Sequence, residues 1–131
     1  MGSIALALVA AVILASLVDW LFGGVLFHDR YMVFPEVWRN PRGGGGESRA
    51  VGMSAAVAVL TPIVFVLLCR RLGLRGGETY WLAVAIWLVA PLPLLVTQHL
   101  FVRIDPLVTA SHATGWLVKL LVCAAVASWL L

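Results

Sequence analysis

Charge is what this chain has least of. Acidic and basic residues together make up 11% of its 131 residues, whereas soluble domains carry about a quarter. So few polar groups cannot cover a water-facing surface, and a soluble globular fold is excluded on composition. Cysteine is nearly absent too. Cys69 and Cys123 stand alone in apolar surroundings, and the lack of any CxxC pair excludes a disulfide framework or a zinc site built from spaced thiols. The N-terminal "MGS" has no basic side chain, and the apolar run behind it is too long for the core of a cleaved signal. That run is expected to be a retained membrane span.

What is present is apolar: 63% of residues are hydrophobic, and the mean hydropathy is +1.04. The net charge of +3 comes mostly from arginines between apolar runs, namely Arg30, Arg39, Arg42, Arg49, Arg70, Arg71, Arg75 and Arg103. A nucleic-acid binder would gather such residues on one face of a soluble fold. Here they flank the runs, where lipid headgroups and the insertion machinery read them. The partner expected is the lipid bilayer, and no nucleic acid.

Four apolar runs cover about residues 4–27, 51–69, 80–102 and 106–131. Each has about the ~20 residues that cross a hydrocarbon core of ~30 Å, and each must be helical because only a helix satisfies its own backbone there. The expected fold is an all-α integral membrane four-helix bundle, one domain over 1–131, built from two helical hairpins. Four crossings put both termini on one side, called side A, with side B opposite. Residues 28–50 form the long side-B connection. "HDRYMVFPEVWR" spaces Tyr31, Phe34 and Trp38 like an interfacial segment, and "NPRGGGGES" follows as a flexible link. On side A, "RRLGLRGGET" is a tight turn with Thr79 as the expected cap of the next helix. In "RIDPL", Asp105 is an N-cap with Pro106 at the first helical position.

Pro62 interrupts the second run, and Pro91 and Pro93 interrupt the third. Each removes a backbone donor and crowds the carbonyl four residues earlier, so both spans are expected to kink. Such kinks serve either packing or, as in transporters, a site lined by broken helices.

Small residues mark a helix-packing seam. Ala7, Ala11, Ala15, Asp19 and Gly23 recur every four residues in the first run, and Ser111, Gly115, Lys119, Cys123 and Ala127 do so in the fourth. Stripes of this kind let backbones approach closely. Each contains the single charged residue of its span. Asp19 lies roughly a third of the way in from side B and Lys119 about one turn deeper, within reach of a lysine stem. The two are expected to form an intramembrane charge pair, since an unpaired charge costs at least ~2.5–3.5 kcal/mol in a span. The pair serves packing or handles a proton, an ion or a substrate.

Polar residues also gather toward side B, where His28, Gln98, His99, Arg103, Ser111 and His112 suggest a pocket. The three histidines raise the question of a metal or a bis-histidine haem. His28 lies at a helix end, and His99 and His112 flank a short turn, so interfacial histidines are expected and no cofactor.

"DWLFGGVLF" closing the first run, "APLPLLVTQHLF" in the third and "GWLVKLLV" in the fourth resemble a family of small bacterial four-helix membrane proteins classed as a domain of unknown function. The resemblance covers nearly the whole chain. It implies four helices and a bacterial inner membrane, and brings no reaction or catalytic residue. Three functions stay open on sequence alone: a structural or accessory subunit or homo-oligomer, a small-solute or proton carrier using Asp19 and Lys119, and a membrane enzyme acting on a lipid or quinone.

Overall fold

In the computed structural model, which describes residues 2–37 and 45–131, the chain is all-α. Four helices are long and apolar enough to cross a membrane: Gly2–Leu26, Gly46–Leu72, Gly77–Phe101 and Pro106–Leu130, called first to fourth below. They form two hairpins, as the four apolar runs require. Trp38, Arg39, Arg42 and most of the glycine-rich link lie outside the described residues. The last part of the link does not remain a loop: helix starts at Gly45, because Glu47, Ser48, Arg49 and Ala50 carry no residue that stops one.

The fourth helix is the hub, packing against the other three. Of its most apolar window 39% is buried, against 17% in each of the others. It is also the least apolar of the four. In lipid this is the expected inversion, since the outside solvent is hydrocarbon and small or polar residues go inward. Its buried residues include Ser111, Gly115, Lys119, Leu120, Cys123, Ala124 and Ala127. Ala7, Ala11 and Ala15 of the first helix are buried against the same core.

Both proline-bearing helices bend modestly at the expected places. The α-helical pattern of the second breaks at Val59, between Ala58 and Leu60, because Pro62 cannot donate to the Ala58 carbonyl. That of the third breaks at Ala90 (φ −126°, ψ −68°), just before Pro91. The Trp87 indole Nε1 there reaches across to donate to the Ala113 carbonyl of the fourth helix at 2.8 Å, tying the bent segment to the hub.

The side-A turn needs two glycines. Gly73 (φ +69°) ends the second helix in the left-handed region. Its N–H bonds the Arg70 carbonyl at 3.2 Å while Leu74 N–H bonds that of Cys69 at 3.0 Å, a Schellman pair that satisfies two orphan carbonyls. Gly76 (φ +52°) then opens the third helix. Thr79 does not cap that helix. Its hydroxyl, fully buried, donates to the Gly76 carbonyl at 2.8 Å and lies 3.0 Å from the Ala124 carbonyl of the fourth helix. Asp105 caps the fourth helix, its Oδ1 accepting from Leu107 N–H at 2.7 Å, with Pro106 at the first position.

Candidate functional site

Lys119 Nζ lies 2.6 Å from Asp19 Oδ2. Side chains lean toward the N-terminus of their own helix. The fourth helix begins on side B and the first on side A, so Lys119 leans toward Asp19 and Asp19 toward Lys119. This converging tilt closes the turn of depth between their Cα atoms. The Trp116 ring, with its centroid 4.9 Å from Nζ, adds a cation–π face. The pair is unequal, however: the Lys119 side chain is 3% exposed and that of Asp19 42%.

The first helix changes form immediately after Asp19. Trp20–Leu26 is π-helical, so hydrogen bonds run to the fifth residue and the four-residue stripe loses its face. Gly23 accordingly lies off the seam, and a Cβ built there meets nothing within 4 Å. Phe22 fills the place instead. A Cβ on Gly115 would come within 3.3 Å of Phe22 Cγ. The buried Ser111 hydroxyl approaches the Phe22 carbonyl at 3.5 Å, supplying a donor where the helix pattern is altered.

Nearer side B, the connection folds back onto the hub. His28–Met32 and Pro35–Val37 are short 3₁₀ turns, and Tyr31 shares a 2.9 Å hydrogen bond with His112 Nε2. Burial pushes the Tyr31 phenol above its usual range, partly offset by a hydrogen bond with Ser111. A cavity of about 230 Å³ opens between this connection and the third and fourth helices. Gln98, Arg103 and His112 line it; His28, His99 and Ser111 do not. His28 is exposed on its turn, and His99 Nδ1 lies 3.2 Å from the Thr109 hydroxyl, joining the third and fourth helices. Among the described residues no three His, Cys, Asp or Glu side chains converge as a metal site requires.

Sequence spacing missed Arg30, Tyr31, Phe34 and Asp105 as members of the same cavity, which Thr109, another polar residue of the side-B end, also lines. The aromatic spacing of Tyr31 and Phe34 marks an interfacial segment, but it contains no information about which helix that segment covers. A second, apolar hollow of about 460 Å³ runs between the first and fourth helices beside Leu17, Leu21, Val122 and Trp129.

No curated protein and no solved structure matches this chain. Residues 6–128 match the family described as "Protein of unknown function (DUF1761)", a match spanning all four helices, the Asp19–Lys119 pair and the side-B cavity. The chain belongs to that family.

Proposed function

We propose that this is a multi-pass protein of a bacterial cytoplasmic (inner) membrane with a structural or accessory role, working as a homo-oligomer or as a subunit of a larger membrane complex. The observation that carries the reading is the unequal ion pair. Lys119 is sealed in the seam, and neither cavity includes it or Asp19 in its lining. The Asp19 side chain is 42% exposed on the surface of a span, where hydrocarbon is a poor neighbour for a carboxylate. A protein neighbour supplying a donor satisfies it better. The apolar hollow beside Leu17 and Trp129, the latter 85% exposed, adds a lateral surface on the same two helices.

A carrier role is the second reading. It is favoured by the π-helical segment directly after Asp19, because such irregularities often accompany functional sites. Mass measurement of the purified protein in mild detergent and in lipid nanodiscs separates the two. The accessory reading expects two or more chains per particle, or a stoichiometric protein companion, with Asp19→Asn weakening the assembly. A strict monomer without companion in both media overturns it. Proton or solute uptake by vesicles containing the protein alone, abolished by Asp19→Asn, moves the assignment to the carrier.

A further inference from the structure

The side-B cavity has a chemistry that the ion pair does not explain. Its two arginines, Arg30 and Arg103, come from different elements and line the same cavity. Neither forms an ion pair with a described residue; Asp19–Lys119 is the ion pair present among them. Arg103 instead lies over an aromatic ring, with its guanidinium carbon 4.7 Å from the Phe34 ring centroid, which orients the group without consuming its donors. The one carboxylate in the lining, Asp105, has Oδ1 engaged by Leu107 N–H at 2.7 Å. Gln98 and the hydrogen-bonded Tyr31 and His112 complete the polar part of the lining. Phe34, Leu95 and Val108 form an apolar wall.

Location narrows the ligand further. His112 lies six residues into the fourth helix, about 9 Å below its start. The cavity therefore runs from the headgroup layer toward the edge of the hydrocarbon. At about 230 Å³ it falls below the ~300–1,000 Å³ of pockets that enclose a drug-sized molecule. A compact head fits inside, while any tails remain in the bilayer.

We infer that this cavity is a binding site for a phosphate monoester head, with Arg30 and Arg103 gripping it, Gln98 as a neutral donor, and the Phe34–Leu95–Val108 wall receiving the first carbons beyond the phosphate. Two arginines lining one cavity, with Arg103 oriented over the Phe34 ring, match the oxygens of a phosphate in a way that a single surface charge does not. The phosphate belongs either to an anionic lipid head or to a soluble phosphate ester. The inference is independent of the oligomeric reading above, because every residue it uses lies in one chain.

The test compares phosphatidic acid with diacylglycerol of identical tails, so that only the phosphate differs. Binding to the detergent-purified protein is followed by thermal shift and native mass spectrometry, with inorganic phosphate and glycerol 3-phosphate as competitors. Arg30→Gln and Arg103→Gln alter exposed side chains and leave the core intact. Arg70→Gln and Arg71→Gln, at the opposite end of the bundle, control for charge alone. The expected result is a clear preference for phosphatidic acid, weakened about tenfold or more by each cavity variant and unchanged by the side-A variants. Strong competition by glycerol 3-phosphate supports the same site with a soluble ester as its source. Equal binding of diacylglycerol, or equal losses in the cavity and side-A variants, overturns the proposal.

Discussion

Lys119 and Asp19 meet at 2.6 Å, yet the cation is sealed in the helix seam while the anion reaches the surface of the bundle. Removing one partner of a buried pair costs ~3–5 kcal/mol, whereas replacing both with apolar groups is often close to neutral. The exposure difference makes the two single losses unequal. Asp19→Ala strands a buried ammonium and is expected to be the more damaging change. Lys119→Met leaves a carboxylate at the bundle surface that a donor from a neighbouring protein can still reach. Combining Asp19→Leu with Lys119→Met should restore folded yield. Thermal stability in detergent across the full cycle measures the coupling; additive losses would show that the contact contributes nothing.

Gly115 and Gly23 should respond in opposite ways to an added side chain. At Gly115 even a Cβ presses on Phe22 at 3.3 Å, so Gly115→Leu is expected to cost about 1–3 kcal/mol through overpacking. Gly23 has open space around its Cβ position, and Gly23→Ala should be neutral or stabilising by up to about 1 kcal/mol through helix propensity. Melting temperatures of the two variants in the same detergent decide the matter. Equal sensitivity would mean that the four-residue stripe continues through Gly23 after all.

Thr79 locks the side-A turn to the hub. Replacing its hydroxyl with a methyl in Thr79→Val keeps the volume and removes the donor shared between the Gly76 and Ala124 carbonyls, an expected loss of about 1 kcal/mol. Hydrogen exchange should show earlier opening at the start of the third helix. Unchanged exchange there would mean that the turn holds through its backbone bonds alone.

Tyr31 predicts an alkaline limit. Its folded pKa lies above the ordinary value of 10.0, so the folded state keeps its proton where the unfolded chain has begun to lose it. The contribution is therefore complete below about pH 10 and is lost as pH rises through the folded value. Tyr31→Phe should remove this alkaline component of the stability profile. The phenolate absorbance missing from the variant should appear only at pH above 10.0. Superimposable alkaline profiles for the two proteins would contradict it.

Reporter fusions at the two termini should report the same side, as four crossings demand. Arginine is more frequent in the side-B connections, at Arg30, Arg39, Arg42, Arg49 and Arg103, than in the side-A turn, and this excess points side B toward the cytoplasm. Reporters on opposite sides would eliminate the four-span arrangement.

Much of this architecture follows from local chemistry. Apolar length dictates the spans, Pro62 and Pro91 dictate where they bend, and Gly73 and Asp105 dictate where helices stop and start, because each acts within one turn of its own backbone. The small-residue stripes place Asp19 and Lys119 on narrow faces that lone charges in hydrocarbon must direct inward, and antiparallel side-chain tilt does the rest. Local spacing has no access to three further features. One is the switch to π-helix after Asp19, which replaces Gly23 with Phe22 opposite Gly115; a period of four cannot announce its own interruption. Another is the unequal exposure of the ion pair, which depends on where the second and third helices pack around the hub. The last is the return of Tyr31 and Phe34 onto the third and fourth helices, which brings Arg30 toward Arg103 across more than 70 positions of sequence. Apolar and aromatic patterns say that a segment seeks cover but not what covers it; that is decided by the shape of the assembled bundle.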